Sequence, residues 1–171
     1  MAYEHYLDNF RKAADRIDKR MLQEKQLELN VGVKLNSVVL KLYKKEWAND
    51  KIDPLNANTR IFFSIWVNVE EETKKQNKVF YNIHAFKLRE LEGYAIKSRD
   101  FAESFRKEFV NHKQNWMNIS VEFGPLTLMQ GWGYFDKENL DNSIVNLANN
   151  FVSIDYLIDN TLKKFKKRKT S

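Results

Sequence analysis

The chain has 171 residues, 43% of them hydrophobic and 30% charged, a mixture that can bury a core and argues against wholesale disorder. It contains no cysteine, which excludes a disulfide scaffold, a thiolate zinc site, an iron–sulfur cluster and a cysteine nucleophile. The net charge of +6 is concentrated at one end: Lys163, Lys164, Lys166, Lys167, Arg168 and Lys169 supply six positive charges, which leaves residues 1–162 formally neutral.

Met1 through Asp8 carry no basic n-region and no apolar h-region, so no signal peptide is expected. The longest apolar runs fall far short of the roughly 20 residues that a membrane span needs, and the expected location is the cytoplasm. Residues 3–25 predict an amphipathic helix, with Tyr3, Tyr6, Leu7, Phe10, Ala13, Ala14, Ile17 and Met21 at three- and four-residue spacing. The period then changes to two. Leu27, Leu29, Val31, Val33 and Leu35 alternate with polar residues, and Val38, Leu40 and Leu42 continue on the opposite parity. The parity flip at Asn36-Ser37 calls for a bulge or a tight turn. Residues 48–59, with Pro54, form the longest irregular segment, where a mobile functional flap would be sought.

Residues 60–70 and 78–88 read as two strands of a hairpin. Phe63, Ile65, Val67 and Val69 share one face of the first, and Phe62, Ser64, Trp66 and Asn68 the other. In the second, Val79, Tyr81, Ile83 and Ala85 oppose Phe80, Asn82, His84 and Phe86. Aromatic residues on both faces imply that both are at least partly covered. A second helix follows from Ser98 as N-cap, with Phe101, Ala102, Phe105, Phe109, His112 and Trp116 on one side. Strand then resumes at Ile119, Val121 and Phe123, breaks at Gly124-Pro125, and continues through Gly131-Trp132-Gly133. A last helix covers about residues 138–167.

Strands in a run and helices around them predict an α+β fold: a mostly antiparallel sheet of about five or six strands, with an N-terminal, a central and a C-terminal helix packed on it. Residues 1–162 form one domain and 163–171 a basic tail. The order resembles in outline the core of restriction-type nucleases of the PD-(D/E)XK class. Those enzymes need a carboxylate on one strand and an acid-any-Lys triplet on the next. The strand at 60–70 has no Asp, and Ile83-His84-Ala85-Phe86-Lys87 stands where the triplet would be. The magnesium-dependent chemistry of that class therefore has no carboxylates to rest on.

No Gly-rich phosphate loop, no nucleophile elbow and no histidine pair at metal-ligand spacing occurs. Neither a metal nor a cofactor is expected. Glu70-Glu71-Glu72 reads as a solvated turn rather than a cation site, and His112 as a packed residue. His84 has a neutral-range side chain on a strand face, which suits a general base, a phosphate contact or a half-buried structural residue. Glu122 is the one carboxylate expected to point from a sheet toward a helix layer or cleft, beside the ordinary reading of a lone strand glutamate as structural or solvent-facing. Trp132 between two glycines could stack a planar ligand, but filling a core gap left by the glycines is the preferred reading.

The preferred function is a non-enzymatic binding or protein-interaction domain with an unknown protein or small-molecule partner. Its candidate ligand residues are Trp66, His84, Lys87, Glu122 and Trp132. One alternative is a small enzyme using His84, Lys87 and Glu122. Another is non-specific nucleic-acid binding through Lys163, Lys164, Lys166, Lys167, Arg168 and Lys169.

Overall fold

The structure, a computed structural model, describes residues 2–70 and 76–168. Two helices occupy the N-terminal stretch, α1 (Ala2–Arg16) and α2 (Lys19–Glu24). Periodicity alone predicts a single helix there. Asp18 divides it: its backbone is extended, with φ −63° and ψ 109°, and its carboxylate accepts the N–H groups of Arg20 and Met21. A short acidic side chain satisfies free helix-start donors better than it serves a helix interior.

Five strands follow: β1 (Glu28–Lys34), β2 (Ser37–Tyr43), β3 (Arg60–Asn68), β4 (Lys78–Phe86) and β5 (Thr127–Tyr134). They form one sheet in the order β1-β2-β3-β4-β5, every neighbouring pair antiparallel. The parity flip is a two-residue turn. Lys34 pairs with Ser37, and Leu35 at the turn takes φ 55° with its side chain in solvent.

Between β4 and β5 lies α3 (Ser98–Phe109), and α4 (Leu140–Lys164) closes the fold. Ser98 sits inside α3, with Lys97 at the cap position. The strand expected at 119–123 is not formed. Only Ser120 pairs there, exchanging two backbone hydrogen bonds with Gln130 of 2.8 and 3.0 Å. The Arg106 guanidinium takes the place of a partner strand. It donates to the carbonyls of Phe123, Gly124, Thr127 and Leu128 at 2.8–3.1 Å. A side chain with five N–H donors can satisfy several carbonyls that no strand reaches.

The helices pack on one face of the sheet. α1 lies against β1, β2 and α4; α4 lies against β3 and β4; α3 lies against α4 and β5. Val38, Leu40, Leu42, Phe63, Ile65, Tyr81 and Ile83 point into this layer and are essentially fully buried. Phe151 of α4 stacks on Phe63, with ring centroids 4.7 Å apart and planes at 15°. A β-bulge opposite Ile83 and His84 turns both Leu128 and Met129 into the core. Among the described residues no helix is long and apolar enough to cross a membrane.

One charged cluster is set into the helix layer, with Lys44 and Asp155 buried and Lys25 and Asp159 partly exposed. Lys44 Nζ reaches Asp155 at 2.8 Å and Asp159 at 2.6 Å; Lys25 Nζ reaches Asp155 at 3.1 Å; and Trp47 Nε1 donates to Asp159 at 2.9 Å. Asp155 and Lys44 are both buried. Removing one member of such a cluster strands the others in a low-dielectric site. Asp155→Ala is therefore expected to cost about 3 kcal/mol or more in urea unfolding, and the Lys44→Met/Asp155→Leu pair to recover part of that loss.

Candidate functional site

The face of the sheet turned away from the helices is built by the even-numbered residues of β3 and β4, because strand side chains alternate between sides. Cross-strand register places them in rows. Trp66 of β3 faces Phe80 of β4, which faces Trp132 of β5. The next row is Lys41, Ser64, Asn82 and Gln130, running from β2 to β5. Beyond it Phe62 faces His84, and Arg60 faces Phe86. A polar row thus runs between two aromatic rows.

The rings touch one another. Trp66 and Phe80 are stacked, with centroids 5.6 Å apart and planes at 19°. His84 lies 4.9 Å from Phe62 and 5.1 Å from Phe86. Cations sit on these rings: Lys41 Nζ 4.7 Å from the Phe62 centroid, the Arg60 guanidinium 4.8 Å from Phe86, and Lys78 Nζ 4.1 Å from Trp132. Such contacts hold a cation above an aromatic floor without neutralising it.

A groove of about 420 Å³ runs over this surface, lined among others by Lys41, Phe62, Trp66, Asn82, His84 and Gln130. At its centre Asn82 is 2% exposed. Its Nδ2 donates to Gln130 Oε1 at 3.1 Å, while its Oδ1 has no partner among the described residues. His84 Nδ1 and Arg60 Nε are likewise buried and unpartnered. Burial pushes the His84 imidazole down to about 4, and the charges of Lys41, Arg60 and Lys34 add to the effect. Burial also lowers Lys41 to about 8, helped by Lys34 and Arg60. The ring of His84 is therefore neutral near pH 7 and too weakly basic to serve as a general base there.

Of the residues singled out from sequence, Trp66, His84 and Trp132 share this face. Lys87 follows β4 with φ 51°; its carbonyl accepts from Thr59 Oγ1, and its side chain is exposed and outside the groove. Glu122 belongs to the irregular segment before β5. It is exposed, its N–H donates to Ser120 Oγ, and it does not line the groove that His84 lines.

Trp132 does not fill a core gap. The glycines beside it face the helix layer. There a Cβ on Gly131 would fall 2.3 Å from the Tyr81 hydroxyl oxygen, and one on Gly133 would fall 2.6 Å from Met117 Cε. Tyr81 fills the space left by Gly131 and donates its hydroxyl to the Met117 carbonyl. The glycines thus admit Tyr81 and Met117 on one side and leave Trp132 on the other. Phe62, Phe80, Phe86, Lys41, Arg60, Lys78, Asn82 and Gln130 were not singled out from sequence, although the alternation of β3 and β4 already placed several of them on this face.

The basic tail is partly tied down. Lys163 and Lys164 end α4, and Lys164 Nζ reaches Glu108 at 2.8 Å. Phe165 packs near Phe101, its carbonyl accepts from Ala95 N–H at 2.8 Å, and Lys167 N–H donates to the Gly93 carbonyl at 3.0 Å. Lys166, Lys167 and Arg168 are exposed, and Lys169 lies outside the described residues. Glu71 and Glu72 also lie outside them. His112, expected on an apolar stripe, is half-buried, with Nε2 3.0 Å from the Tyr156 hydroxyl. Among the described residues no group of three or more His, Asp or Glu is placed to hold a metal ion.

No family model, curated protein or solved structure matches this chain.

The depressed His84 carries a pH signature. An unfolded histidine titrates near 6.5, so the folded state resists protonation, and stability present above pH 6.5 is lost as pH falls toward 4. Melting curves should show a steeper loss between about pH 6.5 and 4.5 in the parent chain than in His84→Phe. Parallel curves would mean that the imidazole is solvated.

Proposed function

We propose that this chain is a non-enzymatic binding domain whose ligand surface is the helix-free face of its sheet. The observation that carries the reading is Asn82. Its amide is buried at the centre of an aromatic floor, with its carbonyl oxygen unpartnered among the described residues. A buried amide with half its capacity unused costs stability, on the order of 1–3 kcal/mol. A valine would suit a strand there better. Retaining an amide at such a point makes sense when a ligand completes its hydrogen bonds.

Three further features support binding rather than catalysis. The groove lies on a rigid five-stranded scaffold, which keeps its rings in fixed positions. His84 is neutral and weakly basic, and it shares its groove with neither Glu122 nor Lys87. Lys34, Lys41 and Lys78 make no ion pair with a carboxylate among the described residues, so their charge is available to an incoming group.

The test is a pair of substitutions that replaces both amides by apolar groups of similar shape. Asn82→Val/Gln130→Val should leave stability unchanged or raise it by about 1 kcal/mol in urea unfolding. The same protein should lose the ligand-induced rise in melting temperature that the parent shows in a screen of anionic ligands. A loss of stability of about 1 kcal/mol or more would make the amide pair part of the folding core, and the reading would fall.

A further inference from the structure

Resting on that reading, we infer that the helix-free sheet face binds single-stranded nucleic acid, with unpaired bases stacking on the outer faces of the Trp66–Phe80 pair and on Trp132, and phosphates taken by Lys41, Arg60 and Lys78. Trp66, Phe80 and Trp132 stand on three adjacent strands in direct register, so they form a line across the sheet rather than along one strand. Neighbouring strands lie about 4.8 Å apart, and five strands at that spacing span about 19 Å. A four-stranded sheet is already wide enough to stack two or three bases of a single strand on its aromatic side chains.

The polar row beside this line supplies what stacking alone does not. Asn82 Oδ1 is a covered acceptor, unused among the described residues; the exocyclic amino and ring N–H groups of bases are donors of the kind that complete it once the side chains over it move aside. The charge is complementary as well. Lys34, Lys41, Arg60 and Lys78 all belong to this side of the sheet. The one acid on it among the described strand residues, Glu28, lies on edge strand β1, 3.6 Å from Lys45. Lys78, seated over Trp132, shifts to a phosphate oxygen when a base takes that ring, and an anion near Lys41 relieves its repulsion with Lys34 and Arg60.

Other anionic partners fit less of this. In a duplex the bases are already stacked and present only their edges in the grooves, so a flat ring-lined face has nothing to stack on. An acidic peptide satisfies the cations but offers no planar groups to the aromatic line, and extended peptides join sheets at an edge rather than on a face. The tail is not needed for the inference, since its charges lie on the α4 end of the chain and Lys164 is already paired with Glu108.

The experiment is fluorescence anisotropy of labelled single strands about ten nucleotides long, of RNA and of DNA, against the full chain. Duplexes of the same sequence, mononucleotides and polyglutamate serve as competitors. Single strands should bind at least about tenfold tighter than duplexes, and affinity should fall about tenfold or more between roughly 50 and 200 mM salt. Trp66→Ala/Trp132→Ala should weaken binding about tenfold or more. Lys41→Gln/Lys78→Gln should weaken it and flatten the salt dependence. Neutralising Lys163, Lys166, Lys167 and Arg168 should change it less than about threefold. Should the double tryptophan variant not fold, the lysine pair and the quenching of tryptophan emission by unlabelled strand in the parent chain decide the same question.

Oligonucleotide binding that ignores the face variants, or that follows the tail, overturns the inference. If single strands fail while polyglutamate or a mononucleotide binds and depends on Trp66 and Lys41, the nucleic-acid inference falls and the binding face stands. If no ligand depends on the face residues, both fall.

Discussion

The register of β3 against β4 is the constraint on which the rest of the molecule depends. Phe63 stands opposite Ile83 and Ile65 opposite Tyr81, so both apolar sets turn toward the helices together. Phe151 of α4 then stacks on Phe63 and meets Tyr81 edge-on, which ties the longest helix to that side. Because strand side chains alternate, the same register sends Phe62, Ser64, Trp66, Phe80, Asn82 and His84 the other way. A slip of β4 by one residue would turn its apolar set away from the helices and bring Asn82 and His84 beneath α4 instead. The binding face is thus a consequence of how the core is made.

The two faces treat positive charge differently, and β2 and its end show both treatments three residues apart. Lys44 turns into the helix layer, where burial alone would lower it; the hydrogen bonds it donates to Asp155 and Asp159, with their negative charges, outweigh that and raise it. Lys41 points to the other side, where burial and the repulsion of Lys34 and Arg60 lower it. A chain that surrounds Lys44 with two carboxylates has the means to neutralise a buried cation. Around Lys41 it places a phenyl ring, two more cations and a neutral imidazole instead. The repulsion among these cations opposes folding, and an anionic ligand relieves it. This contrast is the electrostatic basis for reading the face as a binding surface.

Much of the architecture is legible in the sequence, because periodicity is a local property. The alternation of Phe62-Phe63-Ser64-Ile65-Trp66-Val67 by itself divides β3 between two faces, and the same holds for β4. The α+β class and the antiparallel sheet follow. What escapes such a reading depends on groups distant in the chain. Nothing near Phe123 announces that Arg106 will satisfy its carbonyl, so residues 119–123 read as a strand. The break at Asp18 turns on whether its carboxylate caps α2 or merely decorates one long helix. Trp132 reads as a core residue because the side of the sheet on which its glycines lie is fixed by Tyr81 and Met117, both remote in sequence or conformation. Aromatic residues on both faces imply that both are at least partly covered, and they are: the helices cover one, and on the other Phe62, Ser64 and Asn82 are buried without a helix over them. Among the candidate residues, Trp66, His84 and Trp132 are found through their strand positions, whereas Asn82, Lys41 and Gln130 acquire meaning only in cross-strand register.

The central claim is that an accessible, positively charged aromatic face exists in solution, and it can be tested without knowing any ligand. Trp47 and Trp116 are buried, while Trp66 and Trp132 are half-buried on the helix-free side. Collisional quenching of tryptophan emission by iodide and by caesium, in the parent chain and in Trp66→Phe/Trp132→Phe, separates the two pairs. With such a face present, iodide quenches part of the emission far more efficiently than caesium, and the double variant loses that part. Equal quenching by the two ions, or iodide quenching that survives the double substitution, would contradict the claim.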